Sequence, residues 1–382
     1  MLGDRSSQFD RVARTCGLEE IHFTRTEVQA VRVDVQRFNT EVHQHMNLAR
    51  EESYAQNQNL EYRLKHHMGQ LLQSLVNSIA SDSKLDPKTQ NLRLPILPLK
   101  KSRSAPELRR RRNVTEQVLL NLLEYDAAVS ESDVQKSLRY VYRLPKPAQD
   151  RIIAMIRHHK FQSWLAGVES SALFLNGHYS TTGSIRQCPT SFVCARLASA
   201  MQSDRDAEEE PSLHPPVRTI AISFFCAEHV ETGDPYRGAR GIMKSLIAQL
   251  LASYRFDIRV MAALQEADFD HVKTLCAGFK LLVDSLPAEI VLVCIVDAIT
   301  VHEESESRSR KVEFVLEALA GLASSEEGRE CVFKLLLTCP RVSRRYSGRV
   351  GSACVLTMLE KVVSQGAFTM AKWDGYTNTG TQ

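Results

Sequence analysis

Residues 171–196, SALFLNGHYSTTGSIRQCPTSFVCAR, join an apolar run, a glycine-bearing loop and the start of an amphipathic helix. That is the outline of a phosphate-binding loop, in which G-x-x-x-x-G-K-[ST] follows a buried strand and opens a helix so that backbone N–H groups cradle phosphate oxygens. The departures fall on the residues that would carry the chemistry. Gly177 and Gly183 stand one residue too far apart, Ser184 and Ile185 follow the second glycine where Lys and Ser/Thr belong, and no lysine lies in the loop. A charged hydrogen bond to phosphate contributes about 1.5–3 kcal/mol, or about ten- to a hundredfold in affinity. The expected nucleotide-facing set is Gly177, Gly183, Ser184, Arg186, Thr190 and Ser191. Arg186, the only cation of the loop, either substitutes for the lysine or tethers the loop to a carboxylate, and Thr190 or Ser191 is expected to cap the helix. The segment predicts an NTPase architecture that has lost catalysis.

These residues need a scaffold, and the downstream pattern supplies one. Strand and helix signals alternate: ALFLN (172–176), the helix PTSFVCARLASAM, the strand VRTIAISFFCAEH (217–229), the helix ARGIMKSLIAQLLASY, the helix HVKTLCAGFKLLVDSLP, the strand EIVLVCIVDAIT (289–300), a helix over 311–323, the strand VFKLLLT (332–338) and a weaker strand near 355–359. Near-continuous apolar strands alternating with helices predict an α/β fold, a parallel sheet covered on both faces. Upstream, 114–166 reads as helical, broken at Pro145 and Pro147, with Trp164 and Leu165 expected to pack the last helix on the sheet.

The first third reads differently. Thr24 to Ala80 contains no proline and one glycine, and predicts one or two long helices. Val28, Val31, Val35, Phe38, Val42, His45 and Ala49 follow coiled-coil spacing, and a second stripe runs through Leu60, Leu64, Met68, Leu71, Leu75 and Ile79. The stripe fits packing on the protein's own chain or self-association. His43, His45, His66 and His67 point to different helix faces and read as solvated positions rather than metal ligands. Residues 81–113 hold four prolines and the basic run Lys100 to Arg112, a linker by composition that also suits nuclear import or nucleic-acid contact.

Bulk composition narrows the classes. The chain has 382 residues, 43% hydrophobic and 24% charged, with a formal net charge of +3. The basic excess sits in front: residues 1–112 carry 19 Lys/Arg against 13 Asp/Glu, and the remainder 29 against 32. Nine cysteines scattered without a Cys-x-x-Cys pair read as reduced, buried thiols of an intracellular protein. No signal peptide or membrane span is read, and the expected compartment is the cytoplasm, with the nucleus as the alternative through the basic run. No Gly-x-Ser-x-Gly or His-Glu-x-x-His motif supports a hydrolase.

The order of WLAGVESSALFLNG, FFCAEH, SLIAQLL, IVDAIT and FKLLLTCP, over about 114–365, resembles the nucleotide-binding module of STAND-type signalling ATPases. Within that class it is similar to the NACHT-like domain of predicted filamentous-fungal proteins, where a helical coiled-coil region precedes a P-loop that is often degenerate. The resemblance implies a P-loop NTPase-like sheet binding ATP or GTP with Mg²⁺. It makes Asp297 the Walker B aspartate that holds Mg²⁺ through water, although an aspartate there would equally cap the following loop. Ala298, Ile299 and Thr300 follow where a second acid is expected, and Glu303 and Glu304 come late. Thr338 and Arg341 match the sensor at the tip of the next strand, with Pro340 an intruder. The implied organisation is 1–80 helical region, 81–113 linker, 114–166 helical segment, 167–365 degenerate P-loop NTPase-like domain and 366–382 tail. The expected function is a signalling or scaffold protein that self-associates or binds a protein partner through its N-terminal helices. The alternatives are an atypical active NTPase using Arg186, and a nucleic-acid-associated protein acting through the basic linker, ranked last because no basic stripe with interleaved aromatics is present.

Overall fold

The computed structural model describes residues 58–70, 114–140, 146–177, 188–203, 217–324, 329–343, 345, 346, 348 and 355–358. The chain divides into two compact units, 1–61 and 62–382. Most of the first unit, including the Val28–Ala49 seam, lies outside the described residues, as do the basic linker and the tail. The second unit carries the sheet.

Residues 58–70 are helical (α1). Leu64 and Met68, two members of the second apolar stripe, are buried. Four helices follow: α2 (Val114–Leu122), α3 (Ala127–Tyr140), α4 (Lys146–Arg157) and α5 (His159–Ala166). Then come β1 (Ser171–Asn176), α6 (Pro189–Ser203), β2 (Arg218–Phe225), α7 (Gly238–Ser253), α8 (Ile258–Gln265), α9 (Val272–Asp284), β3 (Ile290–Asp297), α10 (Glu306–Ser324), β4 (Val332–Cys339) and β5 (Val355–Thr357). Short 3₁₀ turns at Cys226–Glu228 and Ile299–His302 end the second and third strand signals earlier than the sequence suggested.

The five described strands pair in parallel in the order β2-β3-β4-β1-β5. The fold is α/β, a parallel sheet with helices packed on both faces. Strand β1 lies between β4 and β5 although neither follows it in sequence, so chain order reverses around it. In an open parallel sheet, that reversal is where a crevice opens at the carboxyl ends of the strands.

Both faces are covered, which explains the near-continuous apolar strands. Phe174, Ile222, Phe224, Leu292, Cys294, Val296, Phe333, Leu335 and Leu337 share one core with α7, α9 and α10. The alternate positions Leu173, Leu175, Ala221, Val293, Ile295 and Leu336 are also buried, on the face that α6 covers with Phe192, Val193, Leu197 and Met201. Trp164 and Leu165 of α5 are buried beside β1, as expected, and the Trp164 indole Nε1 donates to the Ser171 carbonyl at 3.3 Å. At the edge strand β2, the Gln249 side-chain amide pairs with both backbone groups of Ser223, at 2.9 and 2.8 Å, so the edge presents fewer free donors and acceptors. The seven described cysteines are buried and free, as the scattered pattern predicted. Among the described residues no helix is long and apolar enough to cross a membrane.

Candidate functional site

The carboxyl ends of β1, β3 and β4 assemble the polar groups of the crevice. Asp297, the last residue of β3, is 1% exposed. The Ser191 hydroxyl of α6 donates to its Oδ2 at 2.6 Å, and the Thr338 hydroxyl of β4 donates to its Oδ1 at 2.5 Å. Thr338 Oγ1 in turn accepts the Ala298 N–H at 3.1 Å. Strand parity accounts for this convergence: Asp297 and Thr338 both point to the α6 face, and Ser191 lies in the first turn of the helix covering it. Burial raises the Asp297 carboxyl to about 6, and the Ser191, Thr338 and Cys194 hydrogen bonds only partly offset it.

The direct Ser191–Asp297 contact ties the first turn of α6 to the end of β3. In a P-loop the residue after the lysine is the hydroxyl that shares Mg²⁺ with the Walker B aspartate. Ser191 is the hydroxyl of α6 that stands in direct contact with Asp297. Thr190 is buried and its hydroxyl contacts Cys188 Sγ at 3.0 Å. The expectation that Thr190 or Ser191 caps the helix is corrected. Cys188 precedes the first helical residue, its carbonyl accepts the Phe192 N–H at 3.3 Å, and its sulfur takes backbone hydrogen bonds from Thr190 and Ser191. Pro189, with no N–H to satisfy, suits the first helical position. Gly183, Ser184 and Arg186 lie outside the described residues.

Gly177 has a packing reason to be glycine. Its N–H donates to the Cys339 carbonyl at 2.7 Å. A Cβ there would stand 2.9 Å from the Cys339 and Pro340 carbonyl oxygens. The loop therefore leaves β1 pressed against the end of β4, and Pro340, the intruder in the sensor, forms part of that contact. Asn176, which the sequence did not single out, ties the same corner together: its Oδ1 accepts the Ser343 N–H at 3.2 Å and its Nδ2 donates to Thr357 Oγ1 at 3.5 Å.

The remaining sequence candidates stand apart from this cluster. Ala298 has a left-handed backbone, φ 57°, and Ile299 is buried, so no acid directly follows the aspartate. Glu303 accepts the Ser343 hydroxyl at 2.5 Å. Glu303 and Arg341 line a cavity of about 250 Å³ together with Thr300, Glu304, Pro340 and Val342. Among the described residues no group of three or more His, Cys, Asp or Glu side chains is arranged to hold a metal ion. The donor set that could meet Mg²⁺ is Ser191 and Asp297, and each is bonded to the other.

A second buried polar cluster escaped the sequence reading. His229 Nε2 meets Asp133 Oδ2 at 2.8 Å, and Nδ1 meets Asp234 Oδ2 at 2.9 Å. Burial opposes charge on the ring, but the two carboxylates outweigh it and the imidazole pKa is raised. Asp133 lies on α3 and His229 follows β2, so the pair fastens the upstream helical segment to the sheet.

No protein-family model matches the chain, and no curated protein matches it. Among solved structures it is similar to the ADP form of the ORC2 protein of Aeropyrum pernix, at 14% identity, covering 55% of this chain and 47% of that chain, with a TM-score of 0.30. The chain thus spans about half the length of the structure it matches.

Proposed function

We propose that the protein is a catalytically degenerate NACHT/STAND-like signalling or scaffold module, in which a P-loop fold binds nucleotide weakly or not at all. One observation carries this reading: the carboxylate oxygens of Asp297 accept hydrogen bonds from the Ser191 and Thr338 hydroxyls, and no cation is among its described partners. A hydrolytic site needs a cation at the β- and γ-phosphates and an acid or amide to orient water. Taking Ser191 as the hydroxyl that would share Mg²⁺ with Asp297 puts Thr190 where the lysine belongs, and Ala298 and Ile299 follow the aspartate. The polar cluster then serves to hold α6, β3 and β4 in register. Association through the N-terminal helices belongs to the same proposal. Leu64 and Met68 are already buried by the protein's own chain, which leaves the Val28–Ala49 seam as the segment for a partner.

Steady-state ATP and GTP hydrolysis by the purified chain with Mg²⁺ tests the reading. The expected rate equals that of the Asp297→Ala variant. A rate that Asp297→Ala abolishes would end it.

A further inference from the structure

His302 closes the 3₁₀ turn after β3 and is 1% exposed, yet neither ring nitrogen has a hydrogen-bond partner. Buried polar side chains nearly always find one, and an exception calls for an explanation such as an ion or ligand. The charged groups that bear on His302 are Arg308 and Arg237, both positive. Arg308 is half-buried and, among the described residues, has no hydrogen bond or ion pair. Arg237 donates from Nη1 to the Thr232 hydroxyl at 3.3 Å, while its Nε is buried and unpartnered. Three cationic or N–H-bearing groups thus collect with no carboxylate among them. Of the acids close by in sequence, Glu306 is engaged by Arg345 and Arg310, Glu303 by Ser343 and Asp234 by His229, while Glu304 is exposed and lines the cavity beside Thr300 and Arg341.

Secondary structure adds to the same field. Arg237 is the N-cap of α7, sixteen residues long, and no side chain caps its first turn. Helix α10 begins four residues after His302 and carries Arg308 in its first turn. In a parallel α/β sheet, helix N-termini and strand carboxyl ends share one edge, so both helices direct their positive ends there. The two 3₁₀ turns that follow β2 and β3 pack against each other at this edge. The place lies on the β2–β3 side of the sheet, with β4 between β3 and the phosphate-loop strand β1.

We propose that His302, Arg237 and Arg308 form an oxyanion subsite, separate from the degenerate P-loop, that takes a phosphate-type group. The guanidinium groups supply charge, the imidazole supplies one N–H, and the anion satisfies buried donors that otherwise lack partners. This subsite does not rest on the pseudo-NTPase reading and would exist whether or not nucleotide binds at β1.

The test is thermal unfolding of the full chain in inorganic phosphate against sodium chloride at matched ionic strength. The expected result is a saturable rise in Tm with phosphate. Arg308→Gln should move its half-saturation at least about tenfold higher, the loss of one charged hydrogen bond. Arg259→Gln, an exposed arginine on α8, serves as the control and should leave it unchanged. Should Arg308→Gln fail to fold, Arg237→Gln makes the same test. The His302 imidazole resonance should also move as phosphate is added. No phosphate-specific rise, an unchanged half-saturation in Arg308→Gln, or a stationary His302 resonance would each overturn the proposal. So would an effect abolished by Ser191→Ala and untouched by Arg308→Gln, since that would place the anion at the loop.

Discussion

The charge on Asp297 is the feature whose removal tells most. In a working P-loop site the carboxylate is retained for Mg²⁺, and losing it costs binding and catalysis. Here it is buried with no cation beside it among the described residues, and burial lifts its pKa from 3.8 to about 6. The folded state therefore holds this proton more tightly than the unfolded chain does. As pH rises from about 4 through about 6, the unfolded chain releases the proton first, and stability falls across that window and levels off above it. The separation corresponds to about 3 kcal/mol at neutral pH, an upper figure for what one ionised side chain costs. Asp297→Asn keeps the shape, accepts from Thr338 through its carbonyl, and donates to Ser191, whose hydroxyl turns to accept. The variant should be more stable than the natural protein by about 1–3 kcal/mol at pH 8, with the gap closing toward pH 4. Urea unfolding at pH 8, 6 and 4.5 measures it. A variant less stable than the natural protein at pH 8, by the same margin at every pH, would refute the reasoning.

Three further outcomes follow from the same contacts. Ser191→Ala removes one donor from a buried carboxylate and should cost about 1–3 kcal/mol in urea unfolding at pH 8. Gly177→Ala drives a Cβ against two backbone carbonyls at 2.9 Å and should destabilise by about 1–3 kcal/mol, whereas Gly321→Ala in α10, where a Cβ meets nothing within 4 Å, should be neutral or stabilising. His229→Gln breaks the bridge to Asp133 and Asp234. Because the imidazole pKa is raised, its contribution is fully present below the ordinary value of 6.5 and lost as pH climbs through the folded value. The cost should therefore be larger at pH 5.5 than at pH 9, and an equal cost at both would show that only packing was lost.

The sheet was legible because period and composition agree: ALFLN, EIVLVCIV and VFKLLL are apolar on both faces and alternate with amphipathic helices. Strand order was not, since nothing local records that β4 inserts between β3 and β1. The start of the helix after the loop was misplaced because Thr190 and Ser191 are the stronger caps by residue type, whereas Cys188 precedes Pro189 at the first helical position. Asp297 and Thr338 were found from their places at strand ends, but the contact of Ser191 with Asp297 depends on a tertiary approach. Helix α8 was missed despite a real signal, Asp257 accepting the Arg259 N–H at its start, because eight residues hold little more than two turns of pattern. His302 and His229 look alike in sequence, and only the structure separates a ring held by two carboxylates from one with no partner.

The central claim, that the P-loop architecture persists without a working Mg²⁺-nucleotide site, is tested most directly by titrating the purified chain with a fluorescent ATP analogue, with and without Mg²⁺, beside Asp297→Ala. The expected result is no Mg²⁺-dependent saturation up to about millimolar, where association contributes only about 4 kcal/mol, and no difference between the two proteins. Saturable, Mg²⁺-dependent binding that Asp297→Ala abolishes would contradict it.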